Sequence, residues 1–312
     1  MERPNNSNMD ISECPSDTAE AGKASMCEGC PGQAYCQSQG GVDPDQEGID
    51  LRMGAIKHKI LVLSGKGGVG KSTVASLLAG ALASKSQKVG VVDLDICGPS
   101  IPKLLDVEGK PIVNSQFGWK PLMSPHYNIK VMSVGSLLAS DTNSVVFRGP
   151  RKSGLIKRFI KDTYWGRLDF LICDTPPGTS DEHLTVIKIL KNVKPDGAII
   201  VTTPQAVALA TIRKEINFCK KMGVRILGLV GNMESYICPC CGESSELFPS
   251  QGLDNLAAEF NIPIIGRLPL DQEVTKNCEV GNNVIADLQT SPIIIKMLNM
   301  AENIRTVVDD LT

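Results

Sequence analysis

No apolar run in this 312-residue chain approaches the roughly 18 residues that a membrane span requires. The polar start, residues 1–10, lacks the apolar core of a secretory signal, and it is too acidic and too poor in arginine for a mitochondrial transit peptide. A soluble cytoplasmic protein is therefore the expectation. Excess charge of one sign is also missing: 32 Lys and Arg stand against 34 Asp and Glu, a formal net charge of -2. That balance gives no global attraction to phosphate backbones or anionic lipid, and no strong basic patch stands out. Neither nucleic acid nor a membrane surface is an expected partner. Histidine is scarce, and His58, His126 and His183 are scattered and take no catalytic role. Internal repeats are absent as well.

What the chain has in quantity is apolar sequence, at 42% hydrophobic and 21% charged, enough to bury a sizeable core. Residues 1–54 are a different material. Up to Arg52 they hold ten acidic and three basic residues with almost no apolar periodicity, so this arm cannot bury enough surface to order itself and is expected to be flexible. From residue 55 onward, β-rich apolar runs alternate with helical stretches, the pattern of an α/β fold with a mostly parallel sheet and helices on both faces. Strands are expected at 60–63, 89–93, 129–133, 170–174, 197–202, 226–232 and 262–268, and helices after Lys71, Ser153, Ser180, Ala206 and Leu253. The final stretch, 292–311, places Ile293, Met297, Met300, Ile304, Val307, Val308 and Leu311 near helical spacing, with Asp309 and Asp310 on its polar side. Because that side ends in acids where a membrane-targeting helix would carry Lys and Arg, the stretch reads as a closing helix on the sheet and not as a membrane anchor.

Between the run 60–63 and the helical pattern lies Gly65-Lys66-Gly67-Gly68-Val69-Gly70-Lys71-Ser72-Thr73, a phosphate loop in the strand-loop-helix context that the motif needs. Glycines let successive backbone N–H groups turn toward phosphate oxygens, and the helix N-terminus adds partial positive charge. Lys71 would reach the β and γ phosphates, Ser72 would ligate Mg²⁺, and Thr73 would cap the helix or contact the α phosphate. Two apolar runs end in carboxylates, where sheet logic puts ligands: V-V-D-L-D gives Asp93 and Asp95, and F-L-I-C-D-T-P-P-G gives Asp174. Asp174 is assigned to Mg²⁺, usually through water, and Asp95 to the attacking water, with Asp93 the second candidate. Pro176, Pro177 and Gly178 make a stiff turn suited to sensing the nucleotide.

Eleven cysteines in a chain with its own core and no export signal read as reduced thiols. Seven fall in two clusters. Cys14, Cys27, Cys30 and Cys36 run C-x12-C-x2-C-x5-C, four thiolates that satisfy either tetrahedral zinc or a 4Fe-4S cluster. Cys238 and Cys241 form a C-x2-C pair with Cys240 inside it. A pair supplies two ligands, which a twofold dimer would complete from its partner; a redox dithiol and half of a zinc ribbon are the alternatives. Cys97, Cys173, Cys219 and Cys278 are isolated and read as packing residues.

Together, G-K-G-G-V-G-K-S-T, V-V-D-L-D-I-C-G-P-S, R-G-P-R-K at 148–152, D-T-P-P-G-T-S-D-E-H at 174–183, G-N-M at 231–233 and C-P-x-C at 238–241 resemble the Mrp/NBP ATPase family. With its cysteine arm the chain is similar to the longer, eukaryotic branch of cytosolic iron-sulfur assembly scaffolds. The resemblance implies a P-loop NTPase fold of the SIMIBI type, slow ATP hydrolysis with Mg-ATP, one 4Fe-4S cluster on the arm, and a labile one bridging two subunits through Cys238 and Cys241. Lys66 resembles the signature lysine of the deviant Walker A group, which crosses a dimer interface to the opposite phosphates. Asn232 would contact adenine. The implied partners are a second copy, a shorter paralogous ATPase without the arm in a heterotetramer, cluster-targeting factors and recipient apoproteins. Small departures are a first cysteine gap one residue short, Phe147 where Trp commonly precedes R-G-P, and the extra Cys240. Positioning ATPases of the partition and division-site kind, and reductases like the nitrogenase iron protein, share the loop; the first bind DNA or lipid, and the second place bridging cysteines in separate loops.

Overall fold

A computed structural model of the chain describes residues 20, 23–28, 33, 45–96, 98–138, 149–178, 181–192, 194–238, 240–249 and 251–311. The chain divides into residues 1–49 and 50–312. In the first unit, Cys27 closes the short 3-10 turn Ser25–Cys27 and is buried.

The sheet of the larger unit runs, edge to edge, Ile264–Arg267, Ile226–Gly231, Gly197–Thr202, Ile56–Leu63, Leu168–Asp174, Val89–Asp93, Lys130–Ser133 and Leu122–Met123. Its first seven strands are parallel, and Leu122–Met123 closes the edge antiparallel to Lys130–Ser133. Continuous apolar sequence explains the centre: Val89–Asp93 and Gly197–Thr202 are buried at every position, as strands covered on both faces must be. Helices flank the sheet in two groups. Lys71–Ser84 packs with Pro292–Asp309, while Gly149–Asp162, Asp181–Asn192 and Ala206–Met222 follow one another in contact.

Register decides where the site lies. Val62 and Asp93 both pair with Asp174, so the carboxyl ends of three adjacent strands meet beside the turn into the helix Lys71–Ser84.

Several expectations need correction. Residues 46–53, expected to stay unordered, form the helix Gln46–Met53, because Ile49 and Met53 lie one turn apart and are both buried. The central strand starts at Ile56 and not at 60, since Lys57, His58 and Lys59 find long-range or backbone partners that hydropathy does not reveal. The closing helix ends at Asp309, so Leu311 lies beyond it and is exposed, as is Val307, and Ile294 and Ala301 take the buried stripe with the other expected residues. Two short hairpins, Val113–Ser115 with Gly118–Lys120 and Ser235–Ile237 with Ser244–Glu246, were not expected. Among the described residues no helix is long and apolar enough to cross a membrane.

Candidate functional site

The loop after Ile56–Leu63 owes its shape to glycine. Gly68 and Gly70 adopt φ of +79° and +82°, a region that costs other residues about 1–2 kcal/mol. At Gly70 a Cβ would also run into the side-chain amide of Asn232. That amide donates to the carbonyl oxygen of Val69 at 2.9 Å, and the Asn232 backbone N–H donates to Thr202 at 2.7 Å. Asn232 is thus built into the phosphate loop. The helix Lys71–Ser84 starts with Gly70 as its N-cap, no side-chain cap and no acidic residue in its first turn, leaving its N–H groups for an anion. Of the two roles expected for Thr73, capping is therefore corrected: the residue is already inside the helix.

Lys71, Ser72 and Asp174 converge. Lys71 Nζ lies 2.6 Å from Asp174 Oδ1, Ser72 Oγ donates to Asp174 Oδ2 at 2.5 Å, and Nζ lies 3.3 Å from Ser72 Oγ. Asp174 is wholly buried. Burial pushes its carboxyl up, while Lys71 and the two hydrogen bonds pull it down. A hydroxyl and a carboxylate side by side are hard oxygen donors of the kind Mg²⁺ takes beside nucleotide phosphates, so this donor set fits the ion. Lys71 supplies the countercharge that a bound cation would otherwise provide.

Asp93, also fully buried, accepts from the Asp95 N–H at 3.1 Å, Ser133 Oγ at 3.0 Å and the Ile101 N–H at 3.4 Å. Burial first and Asp174 second push its carboxyl up to about 8. Asp95 is half-exposed, and its Oδ1 accepts from the Gly98 N–H at 3.3 Å. The turn after Asp174 is pinned to the central strand: Thr175 Oγ1 donates to the Val62 carbonyl at 3.0 Å and the Gly178 N–H to that of Ser64 at 2.8 Å. Lys66 Nζ lies 3.4 Å from Gln205 Oε1, next to the helix Ala206–Met222.

The second thiol group sits on the hairpin Ser235–Ile237 with Ser244–Glu246, directly beyond Asn232. Cys240 and Cys241 are exposed and Cys238 is half-exposed. The Cys238 thiol is held below the usual thiol range, first by the backbone N–H of Cys241 and then by that of Cys240, with both neighbouring thiols also bonding to it. Among the described residues no group of three or more His, Cys, Asp or Glu converges as a metal site. Cys27 is described; Cys14, Cys30 and Cys36 lie outside the described residues, as do Cys97 and Arg148. Cys173, Cys219 and Cys278 are buried, their thiols pushed up to about 12, 12 and 11 by burial.

Sequence reasoning passed over His183 and Glu215, both fully buried. The available signal was that His183 closes the D-T-P-P-G-T-S-D-E-H segment; Glu215 carries none.

Residues 55–305 match the family described as ParA, the NUBPL iron-transfer P-loop NTPases. A nucleotide-binding protein from Archaeoglobus fulgidus, solved in complex with ADP, is 37% identical over 80% of this chain and 95% of its own, with a TM-score of 0.68. The cell division ATPase MinD of Pyrococcus furiosus is 23% identical over 82% of this chain and 99% of its own, TM-score 0.59. A ParA family ATPase from Chlorobium tepidum TLS is 18% identical over 80% and 98%, TM-score 0.53. The last two share the fold.

Proposed function

The chain belongs to the NUBPL iron-transfer P-loop NTPase family, and from that premise we propose that it is a nucleotide-dependent scaffold that assembles 4Fe-4S clusters and passes them to cytosolic and nuclear apoproteins. The observation that carries this reading is the place of Cys238 and Cys241. They ride on a partly exposed hairpin that begins at Ser235, just after Asn232, whose amide is bonded to the phosphate loop. Nucleotide and thiols are therefore a few residues of backbone apart.

Two thiolates from each copy of a homodimer give four ligands to one bridging cluster, the cargo of the scaffold. Backbone amides aimed at Cys238 favour its thiolate, the form that binds iron. Cys14, Cys27, Cys30 and Cys36 would hold a more stably bound cluster on the arm. At the nucleotide, amides of residues 65–73 and Lys71 hold the phosphates of ATP, Ser72 and Asp174 hold Mg²⁺, Asn232 contacts adenine, and Asp95 positions the attacking water, with Asp93 behind it. Lys66 reaches the phosphates of the opposite subunit, so slow hydrolysis governs how the two hairpins face each other. A shorter paralogue without the arm completes a heterotetramer in the cytoplasm, and no nucleic acid or membrane takes part.

Anaerobic reconstitution with iron and sulfide tests this. Cys238→Ala with Cys241→Ala should leave the chain folded and remove the labile cluster, while Cys27→Ala with Cys30→Ala should remove only stably bound iron. Full iron content in the first variant would exclude the bridging site.

A further inference from the structure

Glu215, on the helix Ala206–Met222, is wholly buried, and among the described residues no aligned hydrogen-bond donor reaches either of its carboxylate oxygens. Its neighbour is Nε2 of His183, 2.9 Å from Oε1 and equally buried, close enough for an ion pair but not aligned as a hydrogen bond. A carboxylate short of donors in the core destabilises a fold, and an apolar pair of the same volume would pack there without that cost. Stability does not account for this pair.

Position does. Nδ1 of His183 lies 3.0 Å from the carbonyl oxygen of Pro176. A carbonyl can only accept, so this ring nitrogen donates. At the ring's other edge Nε2 faces Glu215 Oε1 at 2.9 Å, and Phe218, three residues along the helix from Glu215, meets the ring edge-on with centroids 5.1 Å apart. Pro176 belongs to the turn that starts at Asp174. The helix at the other end of the link meets the phosphate loop twice: Gln205, just before it, lies against Lys66, and Thr211 leaves no room for a side chain on Gly65.

We propose that His183 and Glu215 are positioning residues for nucleotide turnover. They clamp the turn after Asp174 to the helix Ala206–Met222, so that the Mg²⁺-side carboxylate and the helix that touches Lys66 and Gly65 shift as one body. The inference stands on P-loop NTPase chemistry and not on the cluster reading, because its assay contains no iron.

The test is steady-state ATP hydrolysis by the full chain. Glu215→Leu should lower kcat by about ten- to hundredfold, the scale of a small misplacement near the reacting groups, with KM for ATP within about twofold. Glu215→Gln, whose amide can still donate to Nε2, should restore most of the rate. A merely structural pair would change the melting temperature but not kcat per folded molecule. Should the single variant fail to fold, His183→Leu combined with Glu215→Leu, an apolar pair, carries the same comparison. Wild-type kcat in Glu215→Leu or in the double variant would overturn the proposal.

Discussion

Lys71 and Asp174, 103 residues apart in sequence, meet as a buried ion pair at 2.6 Å, with Ser72 on the second carboxylate oxygen. Each half of the nucleotide site thus neutralises the other. In the proposed reading Lys71 would serve the phosphates of a bound triphosphate, and Ser72 and Asp174 would serve Mg²⁺.

Lys71→Ala should abolish ATP binding by calorimetry. It should also destabilise the nucleotide-free chain by about 3 kcal/mol in urea unfolding, because a buried carboxylate loses its countercharge. Adding Asp174→Asn should recover most of that stability without restoring binding. Unchanged ATP affinity in Lys71→Ala would remove the phosphate-loop assignment.

Gly70→Ala combines a left-handed backbone with a collision against the Asn232 amide. A stability loss of about 1–2 kcal/mol, together with at least tenfold weaker ATP binding, is the expected outcome; Gly67→Ala, with nothing near its Cβ position, should fold with wild-type stability.

Asp93 makes stability depend on pH. Its folded carboxyl is pushed up to about 8, above the usual range near about 4. Between those values the native chain keeps a proton that the unfolded chain releases, so this group's contribution falls as pH rises through that window. Asp93→Asn has no such proton to lose. Its melting temperature should gain on the wild type by on the order of 5 °C between the bottom and top of the window, and parallel curves would contradict the assignment.

Much of this was legible locally. The phosphate loop is nine contiguous residues with a fixed geometry, and Val89–Asp93 and Gly197–Thr202 are short apolar runs buried on both faces, so strand identity and site position follow together. What escaped depends on partners distant in sequence. His58 is buried because Asp196 and Asp309 flank its ring at 3.0 and 3.1 Å, and no local pattern announces either. The hairpin strands Val113–Ser115 and Ser244–Glu246 are exposed throughout and carry no burial period to read. His183 and Glu215 share no motif, and only the packing of Asp181–Asn192 beside Ala206–Met222 brings them together.

Thiol reactivity should separate the cysteines. Cys238, held low by backbone amides, should remain alkylated by iodoacetamide at pH values where ordinary thiols have slowed, since the thiolate is the nucleophile. Buried Cys173 and Cys219, pushed up to about 12, should stay unmodified in the native chain. Peptide mapping by mass spectrometry reads both, and a Cys238 profile that matches a free thiol would contradict the amide cradle.

The most direct test of the scaffold is the iron and acid-labile sulfide content of the wild-type chain reconstituted without oxygen, measured beside its visible absorption. Brown, oxygen-sensitive protein with equal amounts of iron and sulfide is the predicted result. Colourless protein that takes up neither, or that carries stoichiometric zinc without sulfide, would contradict it.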